Sequence, residues 1–313
     1  MSSQNNASFK VAEFIIAGLD TTKSPLLVGV VMLIIYFVSV VANMVNIVII
    51  IYSRKLHKPM YLLICDLAIV DILYTSSASP TMIAVLVSGI KTISYVPCFI
   101  QLFAFNLGAV MEMFALAVMA FDRLIAVSCP FQYQRYLTNA RVLVVTCLLW
   151  IVASGFVAVF PATVIPLPQC NNVLRYTFCS YGALVRTTCA DPDYYFNLSS
   201  ILIFFLSFFT FGFILLSYFG IIFFVKSLSI CDKKKMASTC LSHLIVVICY
   251  YIPILIVALL TRFGVVLTIE ERNGLLIGTI LGPCIVNPFV YCLRTKKIKI
   301  ELIRVFKKAK ISQ

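Results

Sequence analysis

Charged side chains are scarce in this chain. Asp, Glu, Lys and Arg make up 12% of 313 residues, about half the share of a soluble domain. Too few polar groups remain to cover an apolar core of this size in water. Histidine is nearly absent: only His57 and His243 occur, and both are expected on the cytosolic side on different helices. No Gly-rich phosphate loop, cluster with metal-ligand spacing or nucleophile motif is present. These absences argue against an enzyme. The first 24 residues also lack a charged segment followed by an apolar run and a small-residue cleavage site. The first long apolar stretch is therefore expected to act as its own membrane-targeting signal. What is abundant is apolar side chain, at 62%, and a bilayer as solvent accounts for the imbalance.

A spanning helix needs roughly 20 mostly apolar residues. Seven stretches qualify, at 25–52, 59–87, 95–129, 141–166, 195–226, 236–261 and 272–293. The expected fold is an all-α membrane protein, a seven-transmembrane helix bundle. Residues 1–24 form an extracellular tail, 25–293 the transmembrane domain, and 294–313 a cytoplasmic segment. In that segment Ile298, Leu302, Ile303 and Phe306 recur at helical spacing, with Lys296, Lys297, Lys299, Arg304, Lys307 and Lys308 on the other faces. The pattern suits a short amphipathic eighth helix on anionic lipid. Pro25 and Pro59 open the first two spans, where a missing N–H costs nothing. Pro253, Pro283 and Pro288 lie inside the last two and are expected to kink them.

The net charge of +13 raises nucleic acid as a partner, and the placement of the charges removes it. Most of the 25 Lys and Arg fall in the first three loops of one face and in the tail, as with Arg54, Lys55, Lys58, Arg135, Lys233 to Lys235 and Lys296 to Lys310. The positive-inside bias puts the N-terminus outside and the C-terminus in the cytosol. Cys98, Cys170, Cys179 and Cys189 then fall in an oxidising compartment, where an even number suggests disulfides. Four cysteines allow three pairings, and spacing does not choose among them. Asn6 heads a glycosylation acceptor on the outer tail; Asn197 heads another where a helix restricts access.

Ionisable residues inside membrane helices are costly and usually functional. Asp71 and Glu112 are expected near mid-bundle, and two carboxylates in a dry cavity need either a proton or a cation between them. The alternative is that each is neutral and hydrogen-bonded to Asn43, Asn287 or a serine. Asp66 lies about 140° around the helix from Asp71 and is expected to face another neighbour. Asp122 and Arg123 close the third span at the cytosolic boundary. Arg123 either snorkels to headgroups or changes partners, with Tyr218 and Tyr291 as the candidates.

Several segments together resemble the vertebrate odorant receptors, within the rhodopsin-like G-protein-coupled receptors. They are Pro59-Met60-Tyr61 with Leu67 to Asp71, Met119 to Pro130, Ser217-Tyr218, Lys235 to Leu244, and Asn287 to Arg294. The chain departs from the family pattern at Phe121 and Leu124, where tyrosines are usual, at Ala42, where Gly is usual, and at Asp66, where Asn is common. The resemblance implies disulfides Cys98–Cys179 and Cys170–Cys189. It implies a central polar site of Asp71 and Glu112, with Asn43 and Asn287 nearby, as a candidate sodium site; no other cofactor is expected. It implies that Arg123 engages a heterotrimeric G protein once the sixth helix moves, with Asp122, Tyr218, His243, Asn287, Pro288 and Tyr291 in the activation machinery.

Helical spacing then outlines a pocket for a small odorant. Phe105, Asn106, Ala109, Val110 and Met113 form a stripe of the third helix. Leu202, Ile203 and Leu206 face it from the fifth, Tyr251, Leu255, Ala258 and Leu259 from the sixth, and Ile277 and Ile280 from the seventh. Most are apolar, as a concave small-molecule site requires, and ordinary helix packing is the competing account of each. The expected function is an odorant receptor of the plasma membrane of olfactory neuron cilia, in contact with membrane lipids, that raises cyclic AMP through an olfactory Gs-type protein. The alternative is a related receptor for a non-olfactory metabolite. A transporter would favour repeated halves around a midplane site, and no repeat is present.

Overall fold

The structure, a computed structural model, describes residues 12–225, 230–262, 268–294 and 298–304. Side chains at 230–239, 257–262, 269 and 292–294 lie outside the described residues. So do Asn6, the Phe306 end of the expected eighth helix, and the side chains of Ala258 and Leu259.

The long helices are α1 (Pro25–Tyr52), α2 (Pro59–Ser88) and α3 (Tyr95–Ser128). After a one-turn helix, α4 (Tyr133–Tyr136), come α5 (Asn139–Val157) and α6 (Val159–Val164). Then follow the short α7 (Tyr181–Val185), α8 (Pro192–Val225), α9 (Ile230–Arg262) and α10 (Ile269–Arg294). Among the described residues, six helices are long and apolar enough to cross a membrane: α1, α2, α3, the α5–α6 pair, α8 and the Glu270–Tyr291 part of α10. In α9 the apolar stretch is the shorter Cys240–Ile256. Residues 298–304 are helical, with Ile298 buried and Leu302 packed on the core.

The helix limits follow local chemistry. Pro25 and Pro59 start α1 and α2 as expected. Gly89, at φ 67°, ends α2 in the left-handed conformation that glycine adopts without a Cβ penalty. The Thr138 side chain accepts the Arg141 N–H and caps α5. The single span expected at 141–166 is broken at Ala158. Pro161 has no N–H for the Val157 carbonyl, so the ladder is interrupted there.

The all-α expectation needs one correction. The expected tail contains a strand, β1 (Glu13–Ile16), which pairs antiparallel with β2 (Thr92–Ser94) and parallel with β3 (Val173–Leu174). The sheet order is β2-β1-β3. The two-residue period of a strand turns Phe14 and Ile16 into the core and Glu13 and Ile15 outward. Asn273 Nδ2 donates to the Gly18 carbonyl at 2.7 Å, tying this segment to α10. Lys91 pairs with Asp20 at 2.8 Å.

Helix α3 is the central post, packed against α2, α5, α8 and α9. A Cβ at Gly108 would lie 2.8 Å from Tyr74 Cα, so only glycine allows α2 and α3 to pass this closely. One apolar cluster, with Phe14, Leu102, Phe160 and Phe178, fills the sheet end. Another, with Ile50, Leu56, Leu67 and Leu116, fills the opposite end. Helices α1 and α8 turn most of their apolar surface outward, Phe204, Phe205, Phe208 and Phe209 among it. Water covers such a surface poorly, whereas lipid covers it without cost.

Candidate functional site

Midway along the bundle, α2, α3 and α10 contribute Asp71, Glu112 and Asn287, all buried. Asn287 Nδ2 donates to Asp71 Oδ1 at 2.9 Å and to Glu112 Oε1 at 3.4 Å. One amide thus bridges the two acids. Asp71 Oδ2, Glu112 Oε2 and Asn287 Oδ1 remain buried without a hydrogen-bond partner among the described residues. A set of three inward oxygens fits a hard cation, and equally fits a shared proton.

Asn43 has a second job besides its expected place beside Asp71. Pro288 lacks the N–H that would serve the Cys284 carbonyl one turn earlier. Ser39 Oγ donates to that carbonyl at 2.7 Å and Asn43 Nδ2 at 3.2 Å. Asn46 Nδ2 reaches the Pro288 carbonyl at 3.4 Å. The proline thus opens polar backbone that α1 closes, and α1 is thereby locked to α10.

Above this centre, Phe105 packs on Tyr74 and Phe178 at ring distances of 5.1 and 4.6 Å. Val110, Met113, Tyr251 and Ile280 are buried. Ala109, Leu202, Leu206 and Ile277 are half-buried against the core. Tyr251 donates its hydroxyl to Thr210 Oγ1 at 2.8 Å. Asn106 turns its amide back on its own helix, to the Leu102 carbonyl at 2.8 Å. Ile203 and Leu255 are 40% and 42% exposed, so they are not enclosed with the rest. Tyr250 was not expected here. Its hydroxyl donates to the Ala109 carbonyl at 2.9 Å and pins α9 to the middle of the α3 stripe.

At the end of the bundle opposite the sheet, Arg123 Nη2 pairs with Asp122 Oδ2 at 2.5 Å. The other oxygen of Asp122 accepts from Tyr133 of α4 at 2.5 Å. Burial pushes the Tyr133 hydroxyl above the ordinary tyrosine range, and the adjacent Asp122 carboxylate pushes the same way. Tyr133 therefore stays a proton donor. His243 joins three helices: its Nε2 meets the Leu116 carbonyl of α3 at 3.1 Å, and its Nδ1 meets the Tyr218 hydroxyl of α8 at 2.9 Å. The carbonyl requires Nε2 to be the donor, which leaves Nδ1 as an acceptor, and the Tyr218 hydroxyl shares its one proton between Nδ1 and the Cys240 carbonyl of α9, each at 2.9 Å. Tyr291 rests its hydroxyl on Met119 Sδ at 3.8 Å. Neither Tyr218 nor Tyr291 is bonded to Arg123 in this arrangement.

The outer cysteines pair as Cys98–Cys179 and Cys170–Cys189, with Cα separations of 5.4 and 5.2 Å. Gln101, another residue missed in the sequence, donates to the Ser77 carbonyl and Thr81 Oγ1, and accepts the Cys179 N–H at 2.9 Å. A glutamine within an apolar helix is itself a signal. Asp66 accepts from Trp150 Nε1 at 3.0 Å, joining α2 to α5 and away from the Asp71 centre.

The olfactory receptor family profile matches residues 32–309. Olfactory receptor 1500 of Rattus norvegicus is 32% identical over 96% of this chain and 97% of its own length. Olfactory receptor 51E2 of Homo sapiens is 31% identical over 97% of this chain and 96% of its own. Olfactory receptor 7A42 of Mus musculus is 31% identical over 96% and 97%.

Proposed function

The chain belongs to the olfactory receptor family, and on that premise we propose that a small odorant binds within its helix bundle and activates a heterotrimeric G protein of the olfactory Gs type, raising cyclic AMP. Membership makes the chain a receptor rather than an enzyme. In this reading α9 is the sixth span and completes the set of seven, the N-terminus is extracellular, and residues 298–304 begin a helix lying on the cytoplasmic leaflet. The receptor sits in the plasma membrane of olfactory neuron cilia.

The odorant site is the α3 stripe from Phe105 to Met113 with Leu202, Leu206, Tyr251, Ile277 and Ile280 around it. Asp71, Glu112 and Asn287 form the polar floor beneath. A sodium ion, where bound, would be held by their three unpartnered oxygens and would offset the charge of one carboxylate. Without it, one carboxyl keeps its proton.

The observation that carries the mechanism is the bridge made by His243. Its two ring nitrogens hold α9 against α3 and α8, while Asp122, itself held by Tyr133, holds Arg123. This is a resting arrangement. An odorant that binds better when α9 has moved shifts the population by that difference in affinity, and Arg123 is then free for the G protein, with Tyr218 and Tyr291 turned toward it. The test is cyclic AMP in cells carrying the chain and an olfactory-type G protein, across acids, amines, alcohols and steroids. A dose-dependent rise that disappears in Arg123→Ala at normal surface expression is expected. An Arg123→Ala response equal to the unaltered receptor's would overturn the assignment.

A further inference from the structure

A cleft of about 660 Å³ lies between α3, α5 and α8, away from the proposed odorant site. Its size is that of a ligand pocket, roughly 300–1,000 Å³. Val118 and Phe121 of α3, Val145 and Leu149 of α5, and Phe213 of α8 make up much of its wall. Phe121, Val145 and Phe213 are 38%, 43% and 44% exposed, so the cleft opens sideways, onto the apolar surface that faces lipid.

One end of the cleft differs. There Tyr136, Ala140 and Arg141 form the lining. Arg141 Nη1 donates to the Arg135 and Tyr136 carbonyls at 2.8 and 3.1 Å, which fixes the side chain in place. Its Nη2 and Nε have no partner among the described residues, and no described acid pairs with it. From Arg141 to Leu149 the helix rises about 12 Å. The cleft is therefore cationic at the end nearest Arg123 and apolar along its length, and it lies where a helix meets the membrane surface. An occupant needs an anionic head, an apolar tail and access from the bilayer.

We infer that this cleft is a site for an anionic phospholipid, one acyl chain lying along α3, α5 and α8 and the phosphate pairing with Arg141. Guanidinium and phosphate match in charge and in fork geometry. Anionic lipid is also the type that collects at basic membrane-facing segments. The occupant touches Phe121, next to Asp122, and Tyr136, in the same short helix as Tyr133. It is thus in contact with the segment that holds Arg123.

The test uses the purified full-length receptor in detergent, titrated with phosphatidylserine, phosphatidylcholine or oleate, with bound lipid counted by native mass spectrometry. One tightly held phosphatidylserine is expected, bound at least several-fold better than phosphatidylcholine. Arg141→Gln should weaken it about tenfold, the scale of a hydrogen bond to a charged group, and leave phosphatidylcholine unchanged. Because Arg141 also holds the loop, Ala140→Trp provides an independent variant. It fills the cleft from an exposed position and should remove the tight site while the lipid-free melting temperature stays the same. Equal binding of the two phospholipids, retention of the tight site in Ala140→Trp, or oleate binding in place of phosphatidylserine would each overturn the proposal.

Discussion

Replacing His243 by Phe should raise signalling in the absence of any odorant. The ring stacks parallel on Tyr218 at 5.9 Å, and phenylalanine keeps that packing while losing both nitrogens. The lost bonds are those to the Leu116 carbonyl at 3.1 Å and to the Tyr218 hydroxyl at 2.9 Å. A net hydrogen bond contributes about 0.5–1.5 kcal/mol. If both break when α9 moves, the resting arrangement loses roughly 1–3 kcal/mol of preference. At about 1.4 kcal/mol per tenfold, the active-to-resting ratio rises roughly 5- to 150-fold. An active population of about 1%, within the usual range for a minor state, would grow to between roughly 5% and 60%. The assay is basal cyclic AMP divided by surface expression. Tyr218→Phe should move it in the same direction, since it removes the hydroxyl's contacts with His243 and with the Cys240 carbonyl of α9. Basal signalling in His243→Phe that is unchanged or lower, with the receptor at the surface, would refute the idea that this bridge holds the resting state.

Three further outcomes follow from the geometry. Cys98→Ser opens a bridge across 81 residues and Cys170→Ser one across 19; loop entropy assigns these about 4–5 and about 3 kcal/mol, so surface expression should fall further for Cys98→Ser. Trp150→Phe leaves Asp66 without its indole donor and should cost about 1–3 kcal/mol, read as a lower melting temperature, with much of the loss restored by adding Asp66→Leu. Asp71→Asn removes one acid of the polar centre; if sodium sits there, exchanging sodium for a large organic cation should change basal signalling of the unaltered receptor and leave Asp71→Asn indifferent.

The bundle's helices were legible in the sequence because a bilayer imposes a one-dimensional rule. Each span must satisfy its own backbone and present about 20 apolar residues, and that rule is local. It placed α1, α2, α3, α8 and α10 near their observed ends, and the family resemblance supplied the two disulfide pairings. It also pointed to Asp71, Glu112 and Asn287 as a group, since polar side chains in apolar helices are conspicuous. The tertiary structure decided what depends on who lies opposite. Asn43 looked like a partner of the acids, and only packing shows that Pro288 also exposes the Cys284 carbonyl beside it, which the same asparagine serves. Tyr250 and Tyr251 are adjacent and alike in sequence, and only packing sends one to Ala109 and the other to Thr210. The strand at Glu13–Ile16 is four residues of ordinary tail until β2 and β3, distant in the chain, supply its hydrogen-bond partners. Periodicity and composition report a residue's own preference for lipid, core or water; pairings between distant segments exist only once α3 has brought them together.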